Sequence, residues 1–146
     1  MLQVTKKFEY GLIVLTYMGA RPGRAVSARE IARNNLIPPA LTANVLKALA
    51  KGKLIATRRG VSGGYALEKP MRDISIADVM TALEGPVALT RCCRDPEQSD
   101  CELMAGCAIR DSMARLNERL FGWVQRMSLE EFHQMGKESA PTHLES

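Results

Sequence analysis

The stretch PPALTANVLKALAKGKLIATRRGVSGGYAL, Pro38 to Leu67, changes its hydrophobic period part-way along. Leu41, Val45, Leu46 and Leu49 fall at i, i+4, i+5 and i+8, which predicts a helix with one apolar face. Pro38 and Pro39 suit its first turn, where a missing N–H costs nothing, and Gly52 ends it. Leu54–Arg58 then has strand character, RGVSGG (59–64) is a glycine-rich turn, and Tyr65–Leu67 returns as a second strand.

Upstream, Ser27-Ala28-Arg29-Glu30 reads as a capping box in which the Ser hydroxyl and the Glu carboxylate each satisfy an orphan amide; it opens a short helix to about Asn34. ARPGR (20–24) separates that helix from an earlier one, capped by Thr5 and running over about Lys6–Met18. Three helices followed by a β-hairpin are the order of a winged helix-turn-helix, so the expected fold class is mainly α with a small hairpin wing. Lys6 and Lys7 before the apolar run GLIVLTYM (11–18) imitate a signal peptide. The run is only eight residues, Glu9 sits at its front edge, and nothing like A-x-A follows. It is also too short to span a bilayer, so the expectation is a buried helix of a cytoplasmic protein without membrane contact.

Downstream, Asp73–Asp78 starts another capped helix, which ends at Glu84-Gly85-Pro86. Further on, Ile109, Met113, Leu116, Leu120, Trp123 and Met127 are spaced alternately by four and three, the a/d seam of almost three heptads. A stripe of that kind on a long terminal helix calls for a partner, and a second copy of the chain is the expected one. Ser128-Leu129-Glu130-Glu131 caps a last short helix. The expected organisation is a winged helix-turn-helix over 1–85, a cysteine-rich loop over 86–107, a dimerisation helix with a short terminal helix over 108–135, and a flexible tail over 136–146.

The chain has 146 residues, 46% hydrophobic and 25% charged, which fits a globular protein. Its charge is unevenly spread. Residues 1–72 carry thirteen Lys/Arg against three Asp/Glu, a surplus of ten; residues 73–146 carry seven against thirteen, a deficit of six. A basic first half suggests a polyanion-binding module, here double-stranded operator DNA. On the expected recognition helix the outward residues are Ala40, Thr42, Ala43, Asn44 and Lys47. Asn44 suits base edges, and Lys47 suits guanine or phosphate. Ser27 and Arg29 stand at the start of the preceding helix. On the wing, Arg58 and Arg59 precede Gly60, Ser62, Gly63 and Gly64, a turn whose glycines permit close approach and whose arginines can enter a narrow minor groove. No nucleophile–base pair or phosphate loop is apparent, and both histidines lie near the tail, so an enzyme is not expected.

All four cysteines, Cys92, Cys93, Cys101 and Cys107, fall in RCCRDPEQSDCELMAGCAIR (91–110). The spacing Cys92-x8-Cys101-x5-Cys107 lacks the paired C-x-x-C knuckles of structural zinc, while iron–sulfur ligand spacings vary more widely. Arg91, Arg94 and Arg110 are expected to favour thiolate, the form that binds metal or meets oxidants. The residues alone leave a metal site and a thiol switch open.

VTKKFEYGLIVL (4–15), VLKALAKGKLIATRRGVSGGYAL (45–67) and ISIADVMTALEGPVALTRC (74–92) together resemble the IscR/NsrR-type iron–sulfur-sensing winged-helix transcriptional regulators, a family that also holds the cluster-free CymR-type regulators of cysteine metabolism. LTRCCRDPEQSDCELMAGCAIR (89–110) is most similar to the branch that regulates the SUF iron–sulfur assembly system. The resemblance implies a homodimer and a 2Fe–2S or 4Fe–4S cluster on Cys92, Cys101 and Cys107. Where the IscR pattern has a histidine as fourth ligand, this chain has Arg110. The NsrR pattern takes a carboxylate from the first helix of the other subunit, and Glu9 matches it. The fourth ligand is thus open among Glu9, Cys93 and a small molecule. PPALTAN (38–44) also departs from the more polar run of the relatives, which implies a different operator. The expected function is a cluster-dependent repressor of iron–sulfur assembly genes. The alternatives are a zinc-bound or bare-thiol redox or nitric-oxide sensor, and a cluster carrier that does not bind DNA.

Overall fold

The computed structural model describes residues 3–97 and 99–138. The elements run α1 (Lys6–Gly19), α2 (Ala28–Asn35), α3 (Pro39–Lys51), β1 (Ile55–Arg58), β2 (Gly64–Leu67), a single 3-10 turn (Met71–Asp73), α4 (Ile76–Glu84), α5 (Arg91–Arg94), α6 (Arg110–Arg126) and α7 (Leu129–Glu138). The tail expected from residue 136 is helical up to Glu138; the rest of that stretch lies outside the described residues.

The Thr5 hydroxyl accepts the Phe8 N–H at 3.2 Å and opens α1. At α2 only half of the expected capping box forms. Ser27 Oγ accepts the Glu30 N–H at 3.1 Å, but the Glu30 carboxylate accepts instead from the Tyr17 hydroxyl at 3.0 Å and from Arg24 at 3.1 Å. A salt bridge and a phenol outcompete one backbone amide, and the exchange ties α1 to α2. Gly11 lets α1 settle on α4, since a Cβ there would stand 2.2 Å from Leu83 Cδ1. The core between these helices is aliphatic: Leu15, Ile31, Leu46, Leu49 and Val79 are buried, together with Met18.

In α3 the buried set is Thr42, Val45, Leu46 and Leu49, which is i, i+3, i+4 and i+7. Leu41, expected on the apolar face, is 42% exposed, and Thr42, expected to point outward, is fully buried. Its hydroxyl donates to the Pro38 carbonyl at 3.2 Å, which satisfies the polar atom and lets threonine act as a β-branched core residue.

The hairpin β1–β2 is antiparallel with Ile55 opposite Leu67 and Arg58 opposite Gly64. Val26 pairs with the far edge of β2 as an isolated bridge: its N–H donates to the Tyr65 carbonyl at 2.9 Å, and Tyr65 N–H returns to the Val26 carbonyl at 2.8 Å. This approach requires glycine next door. A Cβ on Gly64, whose φ is +151°, would lie 2.4 Å from the Val26 oxygen.

A second isolated bridge joins Ser75 to Ser128. Ile76 N–H donates to the Met127 carbonyl at 2.9 Å, and Leu129 N–H donates to the Ile74 carbonyl at 2.8 Å. Ser75 and Ser128 are also the N-caps of α4 and α7. Each Ser hydroxyl accepts from its third following amide, and Asp78 and Glu131 reach back to the two cap amides. N-cap residues hold extended φ and ψ, so two of them can pair as a β-bridge while each starts its own helix. The cap bonds hold the Glu131 carboxyl below its ordinary range. Beneath the bridge, Ile74 and Leu129 are fully buried.

Leu129→Ala is expected to cost about 2–5 kcal/mol, as for large-to-small changes in a packed core. Urea denaturation of the purified chain reads it; a loss under about 1 kcal/mol would show that α7 and the bridge are not part of the cooperative unit.

Candidate nucleic-acid interface and cysteine segment

The outward side of α3 and the wing share one face chemistry. Asn44 and Lys47 are exposed on α3, Arg58 and Arg59 on the wing, and Arg29 on α2. Ser27 is exposed, with its hydroxyl already committed to the α2 cap. Gly60 has φ +115° at the turn, Val61 and Ser62 stand out at its tip, and Gly63 N–H closes it onto the Gly60 carbonyl at 3.0 Å. A Cβ on Gly63 would meet the Arg58 oxygen at 2.6 Å, so glycine there serves the wing's shape. The buried Thr42 is removed from the set that can touch a ligand. Two exposed side chains that the sequence reading did not place here, Leu36 and Leu41, join it. The helical spacing of Thr42 with Val45, Leu46 and Leu49 was the signal for that exchange.

The cysteine segment begins beside α6. Leu89 N–H donates to Asn117 Oδ1 on α6 at 2.9 Å, which fixes the root of the segment. Thr90 caps the one-turn α5, on which Cys92 and Cys93 are adjacent and half-buried. Cys107 is half-buried just ahead of α6, and Cys101 is exposed; all four are free thiols. The Thr90 hydroxyl lies 3.1 Å from Cys92 Sγ and is the main reason that this thiol sits below its ordinary range. The arginines expected to do this are not among the causes. Arg91 points instead to Asp100 at 3.8 Å, an exposed pair. Glu9, on α1, pairs with Lys6 at 2.6 Å and stands at the edge of a cleft of about 530 Å³ lined by Leu12, Ile13, Phe132 and Met135.

Clustered thiols are soft ligands of the kind that iron–sulfur groups use. Among the described residues, however, no three His, Cys, Asp or Glu side chains come together as a metal site. The donor chemistry fits such a group, while the isolated chain does not gather the donors in advance.

The seam of α6 is open. None of its residues is buried; Ile109, just before it, is 61% exposed and Trp123 is 56% exposed, with Leu116 and Leu120 also exposed and Met113 and Met127 half-covered. No helix of the described residues is long and apolar enough to cross a membrane.

Comparison with known proteins gives a consistent result. Residues 4–134 match the model of the Rrf2 family, described as iron-dependent transcriptional regulators. An rrf2-like helix-turn-helix-type transcriptional regulator of Rhodobacter capsulatus is 31% identical over 144 residues, covering 94% of this chain and 96% of that protein. The global cysteine regulator CymR of B. subtilis superposes with a TM-score of 0.72 at 24% identity, covering 92% of this chain and 98% of that one. IscR of T. potens gives 0.70 at 20% identity, covering 98% and 94%.

Asn117→Ala is expected to leave the Leu89 amide without its acceptor and to lower stability by about 1 kcal/mol. Hydrogen exchange should accelerate at Leu89 more than at α4; equal protection in both chains would remove Asn117 as the anchor.

Proposed function

The chain belongs to the Rrf2 family of transcriptional regulators, and from that premise we propose that it is a cytoplasmic homodimeric repressor whose grip on operator DNA depends on its cysteine segment. It is a DNA-binding regulator and not an enzyme. The observation that carries the rest is the position of α6. This helix starts next to Cys107, ends at the bridge to Ile74–Ile76, and keeps an apolar seam uncovered between the two. A second copy packed along Ile109, Met113, Leu116, Leu120, Trp123 and Met127 would cover that seam and present two winged helices to two half-sites.

On DNA, Asn44 and Lys47 would face the major groove. Arg58, Arg59, Gly60 and Ser62 would approach the adjacent minor groove, and Ser27 and Arg29 the phosphates at the start of α2. Gly63 and Gly64 keep the wing in shape for this.

Cys92, Cys101 and Cys107 would hold a 2Fe–2S or 4Fe–4S group, with Glu9 of the second copy as the fourth donor and Cys93 outside the set. When bound, such a group supplies soft coordinate bonds that oxidants, nitric oxide or loss of iron can break. Closing the segment around it would pull on the root at Leu89 and Asn117, and so bias α6 and its bridge toward one arrangement. Genes for SUF-type iron–sulfur assembly are the targets that this chemistry suits. A second reading, a bare-thiol sensor, is favoured by the Thr90 hydroxyl beside Cys92.

Two measurements test these readings. Arg59→Ala should weaken operator binding by about 1–3 kcal/mol at matched salt; unchanged anisotropy titrations would remove it from the contact set. Anaerobic purification should give a coloured protein with iron and sulfide. Cys92→Ala, Cys101→Ala and Cys107→Ala should each bleach it, Cys93→Ala should leave it coloured, and Glu9→Ala should shift the spectrum and shorten the cluster's life in air. A colourless wild type with intact DNA binding favours the thiol sensor, and bleaching by Cys93→Ala alone among Cys93 and Glu9 would place all four donors in the segment.

A further inference from the structure

We propose that Leu36, Ala40, Leu41 and Ala43 read thymine methyl groups in the major groove, so that operator choice rests on apolar contact in the first turns of α3. The proposal deepens the DNA-binding reading above and depends on it. With Thr42 turned into the core, the exposed side chains between Leu36 and Asn44 have no hydrogen-bonding group: Leu36, Pro38, Pro39, Ala40, Leu41 and Ala43. The polar readers, Asn44 and Lys47, begin only after them.

Two of these residues are large, and their exposure is unusual. Leu36 is 91% exposed and Leu41 is 42% exposed. Leu36 also holds a left-handed backbone (φ 54°) at the end of α2, a position that glycine or asparagine ordinarily fills. Large apolar side chains kept on the outside of one short stretch suit a contact site. Charge argues for the occupant. The stretch lies in the half of the chain with ten surplus positive charges, and Ala40 and Ala43 fall at helical spacing with the exposed Asn44 and Lys47. A surface of that kind suits an apolar group carried on a polyanion. The thymine C5-methyl is the apolar group that base pairs present in the major groove, and small or aliphatic side chains are its partners. Ala40 and Ala43 allow the helix backbone to come close, and Leu41 and Leu36 extend the contact toward neighbouring base pairs.

The test removes the methyl and nothing else. The full chain, as purified anaerobically, selects a duplex from a random library. Anisotropy at one salt concentration then compares that duplex with versions in which single thymines are replaced by deoxyuridine. Burial of one methyl corresponds to about fourfold in affinity. We expect at least two positions to weaken by about that factor, and Leu41→Ala or Leu36→Ala to abolish the response at its own position while circular dichroism stays unchanged. If no position responds to deoxyuridine, or if both variants respond as the wild type does, the proposal is overturned. Variants that bind as tightly as the wild type and keep its thymine response would overturn the proposal and leave the surface to a protein partner. If the wild-type chain shows no salt-dependent affinity for any duplex, the DNA-binding reading itself fails, which is a separate result.

Discussion

Two main-chain hydrogen bonds fix where the second half of the chain goes. Ile76 N–H to Met127 and Leu129 N–H to Ile74 close a one-rung bridge at the junction of α6 and α7. Although α6 fully buries no residue of its own in the single chain, it rests on α4 with Val124 half-buried against the core, and the bridge fixes its far end. The bridge works because both strands are N-cap residues already held extended, so neither has to give up helical backbone to pair. Leu129 and Ile74, fully buried beside it, anchor both sides of the bridge in the core.

Much of the fold was legible in the sequence for local reasons. Thr5, Ser27, Ser75 and Ser128 start helices where a hydroxyl stands before an apolar period, and the glycine turn of the wing lies where RGVSGG put it. On α3, hydropathy was read where geometry decided. Leu41 looked like core and Thr42 like surface. Yet the i, i+3, i+4, i+7 set begins at Thr42, whose hydroxyl finds the carbonyl of the helix's N-cap, Pro38. Glu30 looked like half of a capping box, but Tyr17 and Arg24, distant or unpatterned in sequence, offered it stronger partners. The two isolated bridges had no local signature, since each joins single residues far apart in the chain.

The candidate site was read from composition more than from geometry. Four thiols in one segment pointed to soft-ligand chemistry, and the contrast in charge pointed to a nucleic-acid face. Neither announced how the thiols are held. Three arginines near the cysteines suggested electrostatic activation; a threonine hydroxyl two residues from Cys92 is what lies against its sulfur. Charged side chains on an exposed segment turn toward water and toward Asp100, and a short hydroxyl at a helix cap has nowhere else to point.

The bridge at Ser75 and Ser128 also sets a mechanical ratio. It is a narrow pivot, and α6 is an arm of seventeen residues that reaches from it to the neighbourhood of Cys107. At about 1.5 Å per residue the arm is roughly 25 Å long, so a displacement of about 4 Å at the cysteine end turns the pivot by roughly 10°. The strand side of the pivot leads directly into α4, which packs on α1 and α3. On the proposed reading, a change at the cysteines would reach α1 and α3 as a small rotation rather than a large shift. By the same leverage, a duplex that held those helices still would resist movement at the thiols.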